Sequence, residues 1–458
     1  MIRHMMAIGL ALGLLASVTP MNAAVSEAEA NRLDADLTPM GAERTGNAAG
    51  TIPAWEGGLT APPPGIGYEP GKHHPDPFAA DTPLFTITAA NMAQYDAQLT
   101  NTHKALLTAY PDSYKMNVYP TRRSCAFPPH VYQAIARNAV SAKMINDGNG
   151  ITGATMGSPF PIPQSAREVL WNFELIYRGF KTQSGEAATV SSRGGDFTPV
   201  ADNVSVIYNW SDPAISTTEG MDNMVFFALR ETSSPPQSAG SMFLMHYTLN
   251  QVADPKHTWV YRPGERKVKR FTGNAYDATG PGSDGLRTLD MAIHVFSGAG
   301  DRYEWAQQGK SEKIIPYNTY RLSSPDLEYK DIIGKGHLNS DLIRYELHRV
   351  WEIEGKLKAG MSHSIVHRRR FYLDEDTWML LSTALYGAGG EMARAQEGFV
   401  INYYEHPLCV LAPDAIYDIA GRVFHIVAMH NQEQELDLNA SLDRDSFTTQ
   451  AMRRRGVR

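Results

Sequence analysis

The 458-residue chain has only two cysteines, no excess of positive charge and no long apolar run after its first residues. Cys125 and Cys409 cannot form a CxxC pair, which excludes thiol redox catalysis and thiolate zinc sites of ordinary spacing. Lys and Arg number 42 against 49 Asp and Glu, a formal charge of -7, so the clustered positive charge that nucleic acid requires is missing. The short runs Arg368-Arg369-Arg370 and Arg453-Arg454-Arg455 read as a sheet-face ladder and a chain end. Apolar residues at 43% and charged residues at 20% exclude a disordered chain, a collagen-like fibre and a disulfide-dense miniprotein. No GxSxG elbow, HExxH pair or P-loop is present.

The remaining signals for chemistry are weak. Gly280-x-Gly282-x-x-Gly285 matches the dinucleotide fingerprint in letters only, because no apolar strand precedes it and Pro281 sits inside it. His363 and His367 share a strand face beside three arginines, whose charge disfavours a divalent metal. Asp374 and Asp376 fall in an apparent hairpin turn, where Asp bonds its own backbone. Glu352 and Glu354 are expected as exposed neighbours on one strand face. Neither pair takes acid and base roles without a cleft to desolvate it. The expectation is a non-enzyme with no catalytic residue, metal or cofactor.

What is present begins at the N-terminus. Arg3 and His4 precede an apolar run, Met5 to Ala16, too short for the roughly 20 helical residues that span a bilayer. Pro20 and the small residues Asn22-Ala23-Ala24 follow, so residues 1–24 read as a secretory signal peptide and the mature chain as periplasmic. An oxidising compartment permits a Cys125–Cys409 bridge, which would stabilise by roughly 5 kcal/mol in the chain-entropy model. The alternative is two buried thiols.

Residues 25–87 are rich in Gly and Pro and read as an extended arm. Helical patterns are expected over 88–109, 129–146 and from Ser165 to Phe180, the last opened by a capping box of Ser165 and Glu168. From residue 200 onward short aromatic or β-branched segments alternate with turns. Along 342–354, Ile343, Tyr345, Leu347, Trp351 and Ile353 alternate with Arg344, Glu346, His348, Glu352 and Glu354, the pattern of an antiparallel strand with one wet face. Helices first and strands after, with no βαβ alternation, indicate α+β: one large antiparallel sheet with helices to one side. Phe226, Phe243, Tyr247, Trp259, Tyr345, Trp351 and Trp378 either fill a core under the helices or line an apolar cavity between sheet and lid. Burial of methylenes at about 0.8 kcal/mol each would let such a cavity hold an acyl chain.

Several strings carry a resemblance. They are Leu37-Thr-Pro-Met-Gly-Ala-Glu-Arg-Thr-Gly-Asn47, Gly50-Thr-Ile-Pro-Ala-Trp55, Trp171-Asn172 with Tyr177-Arg178-Gly179, and Trp259-Val-Tyr261 with Pro263-Gly-Glu-Arg266. Arg344-Tyr-Glu-Leu-His-Arg-Val-Trp351 and Phe371-Tyr-Leu-Asp-Glu-Asp-Thr-Trp378 complete the set. Together they resemble the family called domain of unknown function 1329, often labelled outer-membrane lipoprotein-sorting-like protein. The resemblance implies a fold similar to the carriers LolA and LolB, a curved, incomplete antiparallel β-barrel closed by helices. It also implies proximity to resistance-nodulation-division permeases and outer-membrane proteins, hence export of a hydrophobic cargo. The combined expectation is a LolA-like half-barrel over 88–430, with helices at about 88–180, strands at about 200–430 and a tail at 431–458. Its expected role is a periplasmic carrier or accessory protein for a lipid or other hydrophobic small molecule. The alternative is a non-catalytic envelope scaffold that binds a membrane-protein partner through its arm.

Overall fold

The computed structural model describes residues 24–271 and 276–456. Of the expected signal peptide, only Ala24 falls among them. A one-turn helix, α1 (Glu27–Ala30), is capped by Ser26, whose Oγ accepts the Glu29 N–H at 3.2 Å. Mostly irregular chain follows as far as β1 (Phe85–Ile87), α2 (Asn101–Ala109), β2 (Met116–Val118) and α3 (Pro129–Ser141). A small hairpin, β3 (Lys143–Ile145) and β4 (Gly150–Thr152), leads to α4 (Ala166–Glu174). The single helix expected over 88–109 is broken. Met92–Tyr95 forms a 3-10 turn and Thr100 starts α2 afresh by accepting the His103 N–H, because a Thr side chain competes better as a cap than inside a helix. The helix from Ser165 stops at Glu174, short of Phe180, where the Arg178 guanidinium takes up its last carbonyls.

The strands then run β5 (Lys181–Ser191), β6 (Val200–Tyr208), β7 (Met224–Ser234), β8 (Met242–Thr248), β9 (His257–Arg262), β10 (Lys267–Arg270) and β11 (Tyr303–Pro316). After α5 (Tyr329–Ile332) come β12 (Tyr345–Leu357), β13 (Arg368–Asp374), β14 (Leu380–Tyr386), β15 (Met392–Tyr403), β16 (Leu408–Asp418) and β17 (Val423–Met429). The last element is α6 (Thr449–Gly456). Fifteen of these strands form one sheet, ordered β1-β2-β12-β13-β14-β15-β16-β17-β5-β6-β7-β8-β9-β10, with β11 against β12. Two antiparallel meanders, β12 to β17 and β5 to β10, meet where β17 pairs with β5, and the order does not close.

Three strands escape the hydrophobic pattern. β5 reads Lys-Thr-Gln-Ser-Gly-Glu-Ala-Ala-Thr-Val-Ser, with small and polar side chains on both faces. β11 is polar through its middle, from Gln307 to Lys313. β16 holds Pro413, which has no N–H for the ladder and falls where the register shifts opposite Gly398 and Val400.

β14 is buried at every residue, so it is covered on both faces. On one face Ser382 and Tyr386 bond Thr100 and Asn101 at the start of α2. On the other, Leu381 and Leu385 join the core that includes Val131 and Ile135 of α3 and Val169 and Phe173 of α4. The N-terminal helices therefore flank the sheet on both faces, not on one side only. The face of β12 expected to be wet is dry as well: Arg344, Glu346, His348 and Glu352 are all buried. Residues 120–124 lie over it, with Asp81 of the arm paired to Arg344. The C-terminal segment packs back too, with Phe447 and Met452 buried against β7, β8 and β9.

Candidate functional site

One side of the second meander walls a cavity of about 960 Å³. Thr182, Ser184, Glu186, Ala188 and Val190 of β5 face it at strict period two, as do Val200, Asp202, Val204, Val206 and Tyr208 of β6. Phe226 and Ala228 of β7, Phe243 and Met245 of β8 and Val260 of β9 extend the same face, and β16 and β17 add Leu411 and Val427. Ile176 and Arg178, just after α4, and the segment from Gly280 to His294 complete the wall. Its exposed edge carries Asp196, Arg262 and Asp284. The volume lies within the range of about 300–1,000 Å³ usual for small-molecule sites.

Of the seven aromatics expected around a cavity, Phe226 and Phe243 line it and five lie elsewhere. Tyr247 shares the Phe243 face but stacks on Phe226 at 4.6 Å and donates its hydroxyl to the Ser297 carbonyl at 3.1 Å, beyond the chamber. Trp259 points to the opposite side of β9, against His246. Tyr345 is held in a separate core by bonds to Tyr114 at 2.7 Å and Glu397 at 2.9 Å. Trp351 and Trp378 pair at 6.0 Å under the arm, where the Trp378 indole N–H donates to the Met40 carbonyl at 2.9 Å. For Tyr345, Trp351 and Trp378 the reason is topological: they lie on β12 and just before β14, away from the β5–β9 face that walls most of the cavity.

Most charge inside the wall is paired. Arg230 bonds Glu186 at 2.6 Å and Asp202 at 3.1 Å, and Thr232 donates to Asp202 at 2.8 Å. Arg287 bonds Asp414 and donates through Nε to His425 Nδ1 at 3.1 Å. Burial, and then the charges of Arg287 and Arg230, press the His425 pKa down to about 3, so the ring is a neutral acceptor. The Lys256 ammonium donates to the Leu289 carbonyl at 3.1 Å. Sequence reasoning missed these groups because Lys256 and Arg287 lie outside the strands, Arg230 follows the apolar part of β7, and β5 has no apolar pattern; the period-two Thr-Ser-Glu-Ala-Val of β5 was the available signal.

A second polar cluster lies under the arm. Cys125 and Cys409 are joined by a disulfide, with Cα atoms 5.6 Å apart, which resolves the choice between bridge and free thiols. Near it, Arg123 forks onto Asp376 at 2.6 and 2.9 Å and donates to the carbonyls of Glu43, Arg44 and Pro53. His348 stacks on Tyr317 at 3.9 Å and bonds Glu346 at 3.1 Å, while Glu346 also pairs with Arg344. Asp374 and Asp376 are thus buried beneath the arm, not turn residues in solvent. His348, Asp374 and Asp376 each offer an atom within 4.8 Å of the others, a spacing that could hold a cation. Arg123 already occupies both oxygens of Asp376, so the arrangement works as a clasp between arm and sheet.

Asp374 gives this clasp a pH dependence. Burial, and then the Asp376 charge, push its pKa up to about 7. The folded chain therefore holds a proton there that the unfolded chain releases near pH 3.9, and this group's contribution to stability falls as pH rises between those values. Asn resembles the protonated acid. Denaturant unfolding from pH 4 to 7 is expected to show Asp374→Asn gaining steadily on the wild type; a constant difference would refute the raised pKa.

No helix among the described residues is long and apolar enough to cross a membrane. In sequence, 452 residues are 39% identical to an uncharacterized protein of Pseudomonas aeruginosa, PA3922, spanning 98% of this chain and 97% of that one. Three solved structures are similar over part of the chain. A DUF1329 family protein from Desulfovibrio piger is 13% identical, covers 60% of this chain and 92% of its own, and gives a TM-score of 0.41. A putative outer membrane lipoprotein-sorting protein domain from Vibrio parahaemolyticus is 10% identical with the same coverages and TM-score 0.41. The LolA superfamily protein NE2245 from Nitrosomonas europaea is 11% identical over 62% of this chain and 97% of its own, with TM-score 0.36. The family model for proteins of unknown function DUF1329 matches residues 86–453, and the chain belongs to that family.

Proposed function

We propose that this chain is a periplasmic carrier-type protein that holds a hydrophobic molecule in the cavity of the β5–β9 meander. The observation that carries the reading is the cavity: a chamber of about 960 Å³ in which an apolar surface, with Val204, Val206, Phe226, Phe243 and Met245, adjoins polar groups that are mostly paired with one another. The signal-like N-terminus and the disulfide fit an oxidising compartment. Service to an export permease or an outer-membrane protein belongs to the same proposal, since a carrier needs a donor and an acceptor. The arm is poorly placed to act as a docking segment for a scaffold, because Leu37, Met40, Ile52 and Trp55 are buried.

Native mass spectrometry of the mature protein, purified from periplasm without detergent, tests this reading. The expected result is a hydrophobic adduct near one per chain, recovered on denaturing extraction. Ala228→Trp, which places an indole inside the chamber, is expected to reduce the adduct at least fivefold while the fold persists by circular dichroism. A clean apo mass that stays clean after incubation with lipid vesicles would defeat the proposal.

A further inference from the structure

The cavity wall contains one arginine without a carboxylate. Arg230, Arg262 and Arg287 each face an acid, but none lies within ion-pair distance of Arg178 among the described residues. Arg178 instead donates to the carbonyls of Phe173 at 3.0 Å, Glu174 at 3.1 Å and Ile176 at 3.4 Å. A guanidinium carries five N–H donors, so these bonds leave capacity unused. They also leave it without a direct ion pair in a poorly solvated wall, where Glu174 acts on its charge only from beyond that distance.

Two further donors line the chamber with it. The Tyr208 hydroxyl and the His294 ring have no hydrogen-bond partner among the described residues, and both residues line the cavity with Arg178. The phenol stays protonated, since burial pushes its pKa up to about 12. Burial, and after it the charges of Arg178 and Arg230, hold His294 well below its usual range, leaving a neutral ring with one N–H. Apolar side chains adjoin these groups: Val206 shares the Tyr208 face of β6, and Phe226 is the cross-strand partner of Tyr208 at 5.6 Å between rings.

We propose that the cavity takes an amphiphile with an acidic head, a carboxylate or a phosphate monoester. The head sits on Arg178, Tyr208 and His294, and the apolar body lies along Val206, Phe226 and Met245. This inference rests on the reading of the cavity as a ligand chamber. The oxyanion gives Arg178 the direct ion pair it lacks and accepts from all three donors, while a neutral lipid of equal length leaves them unpaired.

Isothermal titration of the full mature chain at pH 7.5 with dodecanoate, dodecyl phosphate and dodecanol tests it. At least one acidic probe is expected to bind about tenfold or more tightly than the alcohol, and comparing the two acids separates carboxylate from phosphate recognition. Arg178→Met is expected to reduce that preference to about threefold or less. Because Arg178 also caps α4, Tyr208→Phe, which leaves the cap intact, serves as the second variant and is expected to lower the preference severalfold. Equal binding of acid and alcohol, or a preference undiminished in both variants, overturns the inference and leaves the chamber. Binding of none of the three probes overturns the inference together with the carrier reading.

Discussion

Arg123→Met is expected to destabilise the folded chain by about 3–5 kcal/mol, the usual effect of removing one partner from a buried ion pair. Arg123 is 7% exposed, and its guanidinium meets both oxygens of Asp376 and three carbonyls of the arm. Methionine keeps much of the volume but leaves Asp376 charged and buried beside Asp374 and Glu375. It also removes three of the bonds that hold the arm residues Glu43 to Pro53, leaving those from Arg349, Lys310 and Glu312. Urea unfolding would register the loss as a lower midpoint, and limited proteolysis as early cleavage within the arm. Combining Arg123→Met with Asp376→Asn should recover part of the loss, since the second change removes the stranded charge. If the single variant unfolds at the wild-type midpoint, the clasp contributes nothing.

Removing the disulfide is expected to have a comparable effect. Replacing both Cys125 and Cys409 by Ser should lower stability by about 2–5 kcal/mol. The bridge joins positions 284 residues apart, linking the chain just before α3 to β16 next to the cavity wall. In its absence the unfolded chain is freed from a large closed loop and gains conformational entropy, and the folded chain must keep two buried hydroxyls where sulfur packed before. Thermal unfolding of the double variant against the wild type, with and without reductant, reads the effect. Reductant should bring the wild type close to the variant and leave the variant unchanged. Equal stability of the two oxidised proteins would show that packing alone holds this junction.

The elements legible in advance were those whose burial follows local periodicity. β12 was readable from alternation of side-chain type, the β13–β14 hairpin from the segments either side of Asp374-Glu375-Asp376, and the start of α4 from Ser165, because those features depend only on neighbours along the chain. β5 was not legible, although its alternate residues Thr182 to Val190 line the cavity: small polar side chains give no hydrophobic contrast. β16 was obscured by Pro413, which a bulge accommodates. Arg178 appeared within a recognisable string, Tyr177-Arg178-Gly179, but nothing in the string tells a cavity-facing guanidinium from a helix cap.

The sequence by itself determined the class: an α+β chain with a long antiparallel sheet, no familiar catalytic motif and one possible disulfide pair. These follow from composition and short-range pattern, which act before the chain has a shape. Tertiary structure decided which faces are wet. Residues 120–124 and Asn318 cover the polar side of β12, and the arm closes over Arg123, turning Glu346, His348, Asp374 and Asp376 from expected surface residues into a buried cluster. It also decided which aromatics surround the cavity, because β17 pairs with β5 and so places the open chamber on the meander of Phe226 and Phe243. Pairing between strands more than 200 residues apart depends on the whole packed sheet, and no local window of sequence contains it.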